Sequence, residues 1–441
     1  MDSNRLSRTG PGITFVLAAF LSSICVVAYA QEIFTLDRCI TLAENNSPRL
    51  RMANNAVRAI ELAHSELGAA GLPQVNAVAG GTYTPIPPSY GYDPAVTDGG
   101  QLVGQVVVRQ SLYDGGIRSL KFDQLRIDLE RVSREREVAR LDVDAGVKQA
   151  FFEALRTQEE VDLRRASQEQ LAAYEDLVRR LYNGGLVSYT DVLKAEMQTS
   201  TSGLALGKAQ ESSVASRYVL SEAIGVQVDV AARIADAPLD VPQVAVDTGD
   251  IAQTIDMKAA SLGVKKGLLD VQLASHEKLP VVSLVADAGY LSSGENLRLP
   301  RENRLNALGY SIGVAFEIPI LNWGATGMRV EQRELAAEDL SLQMELLRRS
   351  LTTETRKAVL QLSRGRARLV VLEETIKKAE ENFLLTKSKY AAGGALAFEV
   401  LAAQQLLTDM KMDELQTKAD LRLLAVRLER LTAHEQNPTR Q

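Results

Sequence analysis

The sequence is poor in the residues from which most catalytic and metal sites are built. Its 441 residues include only three histidines and two cysteines. Cys25 falls in an N-terminal leader, which leaves Cys39 without an internal disulfide partner. His64, His276 and His434 each stand apart, with no His or Cys at ligand spacing, so no metal site is expected. No Gly-rich loop ends in Gly-Lys-Ser/Thr and no dinucleotide fingerprint is present, so no cofactor is expected. A net charge of −6 argues against nucleic acid as a partner. Outside the leader no run of about 18 apolar residues exists, so no helix is expected to span a bilayer. One pattern does suggest chemistry. Gly309-Tyr310-Ser311-Ile312-Gly313 matches the nucleophile motif G-x-S-x-G, which needs a sharp strand-to-helix turn at the serine. Here an apolar/small alternation runs unbroken through Ser311 to Ile318, so an esterase is rejected and no enzyme is expected.

What is present begins with export. Arg5 and Arg8 precede an apolar core from Ile13 to Val27, and Ala28-Tyr29-Ala30 forms an A-x-A cleavage site. Ile24 is too bulky for the position before a lipidated cysteine, so cleavage is expected after Ala30 with no acyl chain on Cys25.

The remainder repeats itself. YNGGLVSYTDVLKAE (182–196) returns as YAAGGALAFEVLAAQ (390–404), pairing Tyr182 with Tyr390, Gly185 with Gly393 and Asp191 with Glu399 at an offset of 208. The same offset lays QSLYDGG (110–116) on IPILNWG (318–324), and Leu72-Pro73 matches Leu279-Pro280 at 207. A period this long marks duplicated halves, not a solenoid. The chain thus divides into a leader (1–30), a first repeat (31–225), a linking segment (226–249), a second repeat (250–431) and a tail (432–441). Each repeat reads as a helix (35–71; 250–278), two strands, a very long helix (115–183; 324–391), a Gly-containing turn and a return helix (188–225; 396–431). The linking segment, with Pro238 and Pro242, is expected to pack outside the helices.

The strands alternate. Leu308, Tyr310, Ile312, Val314, Phe316 and Ile318 interleave with Gly309, Ser311, Gly313, Ala315 and Glu317. Runs at 102–111 and 282–290 behave alike, and 75–84 is a weaker fourth. Such runs suit a soluble sandwich with one wet face. On period alone that is the favoured reading, but the runs also have the length of membrane strands, about 9–11 residues, and the long loops 85–100 and 292–307 shift the balance toward the membrane. The long helices carry a seam of Leu125, Leu129, Val132, Ala139, Val143, Ala150, Ala154 and Val161 at three/four spacing, as in a coiled assembly.

Taken in order and twice over, these features resemble the TolC-like outer-membrane efflux and secretion channels. They are the leader, Leu-Pro before a strand pair, Asp-Gly-Gly or Asn-Trp-Gly after it, and Tyr-x-x-Gly-x-x-x-x-x-Asp/Glu-Val-Leu. The resemblance covers about residues 35–431. Four strands cannot close a barrel, because the smallest known have eight, so two or three chains must combine. The resemblance implies three. It implies a mainly α protein with a trimeric 12-stranded membrane β-barrel, four strands per chain, continued by a long α-helical barrel through the periplasm. It further implies a passive export duct of a tripartite efflux pump or type I secretion system, set in outer-membrane lipid. Its partners would be a periplasmic adaptor and an inner-membrane pump, and its cargo small molecules or protein. A soluble periplasmic coiled-coil adaptor is the competing reading. The hairpin tips (Tyr182, Gly184, Gly185; Gly393, Gly394) would form the periplasmic mouth. Tyr390 and Asp191 match latch positions, and Glu399 matches the first of two acidic positions ringing the pore. The second ring position is Ala402 here, and the latch arginine position is Ala395. Ser188-x-x-Asp191 also fits a capping box, and Glu399 could serve the start of its helix.

Overall fold

The computed structural model describes residues 33–84, 99–229, 232–235, 250–294 and 305–434. The leader and most of the two long loops and of the linking segment lie outside the described residues. The elements, in chain order, begin with β1 (Ile33–Phe34), α1 (Leu36–Asn46), α2 (Pro48–Ala69), β2 (Gln74–Thr84) and β3 (Gly99–Tyr113). The first repeat ends with α3 (Ile117–Asn183) and α4 (Tyr189–Ile224), and β4 (Arg233–Ile234) lies between the repeats. The second repeat holds α5 (Ile255–His276), β5 (Val281–Gly294), β6 (Leu305–Glu317), α6 (Ala325–Ala391) and α7 (Ala397–Leu431).

The expected first helix is two helices. Ser47 ends α1 through its backbone N–H to the Ala43 carbonyl (2.8 Å), and its hydroxyl accepts from the Leu50 N–H to cap α2. Pro48 at the first helical position needs no partner for a missing N–H, so the break falls where proline is tolerated. The long helices α3 and α6 have 67 residues each and extend about 100 Å at 1.5 Å per residue.

The sheet is fully antiparallel, in the order β2-β3-β5-β6, and the central β3–β5 pair joins the two repeats. Its outer strands β2 and β6 each pair on one side only. On β6, Leu308, Tyr310, Ile312, Val314 and Phe316 are all at least 64% exposed, while Gly309, Ser311, Gly313 and Ala315 occupy the other face. Burying such an apolar row in water would be unfavourable; burying it in lipid is not. No helix among the described residues is long and apolar enough to cross a membrane.

One buried cluster ties the helices to β1. Phe34, Cys39, Phe151, Phe152, Leu220, Ile224, Leu415 and Val426 belong to it. The described part of the linking segment packs on the helices and enters this cluster through Val228, Ala232 and Ile234, with β4 pairing in parallel with β1. Burial pushes the Cys39 thiol up to about 11, so it is unreactive at neutral pH.

Candidate functional site at the hairpin tips

Both hairpins turn by the same device. In the first, the Gly185 N–H donates to the Tyr182 carbonyl (2.9 Å) and the Leu186 N–H to Leu181 (2.9 Å). In the second, the Gly393 N–H donates to Tyr390 (3.0 Å) and the Gly394 N–H to Lys389 (2.8 Å). This is the Schellman pattern, which requires a left-handed residue just beyond the helix. Gly185 (φ 72°) and Gly393 (φ 78°) supply it, and they are the pair related by the 208 offset. Gly184 ends its helix with φ −81°, where the second repeat has Ala392. Gly184 and Gly394 flank the left-handed residues and belong to the turns without a positive φ of their own.

The two tips converge. Tyr174, Val178, Val192, Tyr390, Ala397 and Val400 belong to one buried cluster drawn from α3, α4, α6 and α7. The Tyr174 hydroxyl donates to the Ala397 carbonyl at the start of α7 (3.3 Å), and its ring lies 5.5 Å from that of Tyr390. Tyr182 sits at the rim, stacked at a tilt on Tyr189 (5.6 Å).

The three charged or phenolic candidates occupy distinct settings. Asp191 completes a capping box: its N–H donates to Ser188 Oγ (3.3 Å), while its carboxylate accepts from the Ser188 N–H (3.4 Å) and hydroxyl (2.9 Å). Glu399 is exposed, yet its carboxylate accepts from the Leu396 N–H (2.8 Å). The lack of a serine at position 396 removes only one half of the box. The half that Glu399 supplies is formed, so its helix-start role is stronger than the sequence suggested. Tyr390 is buried beneath the turn, and its hydroxyl makes no well-aligned hydrogen bond among the described residues. Burial pushes its phenol up; the approach of the Tyr174 hydroxyl offsets this in part, and the nearby Asp191 charge adds to it. Tyr174 is pushed up further, by burial first and then by Tyr390.

Asp191 is thus committed to Ser188, and no Asp191–Tyr390 hydrogen bond forms within the chain. An unpaired buried hydroxyl is a liability of about 1–3 kcal/mol. Tyr390→Phe is therefore expected to leave thermal stability unchanged or to raise it by about 1 kcal/mol. A clear drop in the melting temperature of the assembled protein would show that the hydroxyl has a partner in a neighbouring chain.

Tyr174 was not a candidate from the sequence. Its partner lies 216 positions away in a different repeat, and no local pattern links the two. Sites set aside on sequence grounds look inert. Ser311 lies in regular β6, paired across the sheet with Asp287 and hydrogen-bonded to its carboxylate. His64 packs on Phe122, His276 donates to the Gly115 carbonyl and His434 bridges to Thr254. Among the described residues no group of three or more His, Cys, Asp or Glu is arranged to hold a metal.

The family model for the outer membrane efflux protein matches residues 39–226 and 251–434, once per repeat. The chain belongs to that family. It is 24% identical over 316 residues to the alkaline protease secretion protein AprF of Pseudomonas aeruginosa, covering 67% of this chain and 65% of AprF. It is 25% identical over 275 residues to the outer membrane protein TolC of Vibrio cholerae, covering 60% of this chain and 61% of TolC. The alignments thus span just under two thirds of these relatives. The fold is that of the outer membrane protein VceC of Vibrio cholerae, with a TM-score of 0.75 at 19% identity over 91% of this chain and 97% of VceC. Family membership assigns the protein to the outer membrane. Family and fold are those of channel proteins, and neither offers support for a soluble adaptor.

Proposed function

We propose that the protein is the outer-membrane export duct of a tripartite efflux pump or a type I secretion system. The observation that carries this reading is the join between sheet and helices. A four-stranded sheet with an exposed apolar face and two open edges runs straight into helices about 100 Å long. Four strands cannot form a closed barrel, and open edges invite pairing with another copy. Three copies give twelve strands, with β6 of one chain beside β2 of the next, and the helices extend the wall into the periplasm. The tips then form the mouth that meets a periplasmic adaptor and an inner-membrane pump. Substrates pass through without chemistry, as suits a family of channel proteins. The name of AprF points to protein cargo, whereas the family description points to efflux; the duct geometry serves either.

Native mass spectrometry of detergent-extracted outer membranes tests the assembly. A homotrimer is expected, present only when detergent covers the sheet. A stable monomer in buffer without detergent would sink the channel and restore the adaptor.

A further inference from the structure

We infer that Trp323 is a wedge between neighbouring chains, seated against Leu72 of a second copy at the junction of barrel and helices. The inference rests on the trimeric duct proposed above and on a difference between the two repeats.

Each repeat leaves its sheet through a turn of two left-handed residues. In the first these are Gly115 (φ 69°) and Gly116 (φ 81°); in the second they are Trp323 (φ 53°) and Gly324 (φ 81°). Among the described residues Trp323 is the one non-glycine with positive φ. A bulky side chain in that region is strained, and such strain persists where the surroundings make use of it. The indole is 84% exposed, beside Ile320 at 94% and Leu321 at 70%.

The first repeat reveals what this position faces. Its turn packs on the end of α5, in the other repeat. A Cβ on Gly115 would lie 2.8 Å from Leu279 Cβ and 3.4 Å from the His276 carbonyl oxygen. His276 Nδ1 donates to the Gly115 carbonyl (2.8 Å), which draws the two parts together. Glycine is required there because no side chain fits.

The duplication supplies the missing neighbour of the second turn. Leu72 corresponds to Leu279, and Ala69 to His276. Both turn residues adopt the same left-handed backbone, so the Trp323 Cβ takes the direction a Gly115 Cβ would take. In a ring of six repeats that direction leads to Leu72 at the end of α2 in the next chain. Leu72 is 63% exposed in the single chain, unlike its packed counterpart. At this junction the spacing cannot be that of the first, because a Cβ alone would already collide. No histidine is available to draw the turn in, since Ala69 stands in its place. The gap between chains is therefore wider than the gap within a chain, and the indole fills it. Tight and wedged junctions alternate, so the ring is threefold and not sixfold.

Trp323 is the sole tryptophan, so emission excited at the red edge, where tyrosine does not absorb, reports on it alone. The wild-type protein is placed in bilayers with and without brominated phospholipid and titrated with acrylamide, alongside native mass spectrometry. A wedge predicts blue-shifted emission from the trimer and quenching by either agent several-fold weaker than in chains dissociated to monomers. Strong quenching by the brominated lipid in an intact trimer would make the indole a headgroup anchor and overturn the wedge. Undiminished acrylamide quenching in a trimer would overturn it as well. A monomer by mass spectrometry would remove the duct and the wedge together. As a second readout, Trp323→Gly relieves the backbone strain yet empties the seam. It is expected to lower the dissociation temperature of the trimer, with Trp323→Phe nearer wild type. A trimer made more stable by Trp323→Gly would refute the inference.

Discussion

Arg430→Ala is expected to destabilise the protein by about 3 kcal/mol, the cost typical of breaking a largely buried ion pair by removing one partner. The guanidinium sits in the last turn of α7 and is only 18% exposed. It makes a bidentate pair with Asp256 at the start of α5 (2.7 and 3.0 Å) and a third bond to Asp142 in α3 (2.6 Å). Arg49 of α2 reaches the other oxygen of Asp142 (2.6 Å). Four helices from both repeats therefore meet at one charge cluster. The hydrogen bonds it donates to Asp256, opposed by burial and reinforced by the bond to Asp142, hold the guanidinium protonated beyond its ordinary range. Removing it leaves the Asp256 carboxylate without its fork, in a site that water reaches poorly, whereas Asp142 keeps Arg49. Arg430→Lys keeps the charge but loses the planar fork, so an intermediate loss is expected. Adding Asp256→Asn to Arg430→Ala should recover part of the loss, because the cost lies in the unpaired carboxylate. Denaturant unfolding in detergent, followed by helix circular dichroism, measures all three variants. A double variant no better than the single would place the cost in lost packing instead.

That cluster could not have been read from the sequence. Its members are separated by 174 and 288 positions, and ion pairing leaves no periodic trace. The same limit hid the contact of Tyr174 with Tyr390. Features that repeat were legible. The offset of 208 found both turns, and it also aligns the two glycines that carry the positive φ. Alternation along β6 marked its apolar face because a strand places every second side chain on one side. The break between α1 and α2 was present in the sequence as Asn46-Ser47-Pro48, a cap followed by proline, although the segment 35–71 reads as one helix by its overall pattern. β1 and β4 have two residues each, too few for any period to register. Glu399 serves the start of its helix without a serine at position 396. Its carboxylate needs only a backbone N–H, which every residue but proline offers.

The cap decides how a charged ring at the mouth is best tested. Glu399→Gln keeps an oxygen that can accept from the Leu396 N–H and removes only the charge. Threefold assembly would bring three Glu399 carboxylates around the periplasmic opening. Each contributes about 1 kcal/mol toward a cation at contact distance even in bulk water, and more in a narrow pore. Block by a multivalent cation from the periplasmic side is thus expected to weaken about tenfold or more in Glu399→Gln, with cation selectivity falling alongside. With Ala402 in place of a second carboxylate, that position offers no second acidic ring to sustain the block. Helix content and trimer yield should match wild type, because the cap survives. Glu399→Ala loses charge and cap together, so weakened block should there be joined by a less stable α7. Single-channel recording and thermal melts of the three proteins separate the roles. If block in Glu399→Gln equals that of wild type while Glu399→Ala melts early, Glu399 serves its helix alone and the charged ring must be sought elsewhere at the mouth.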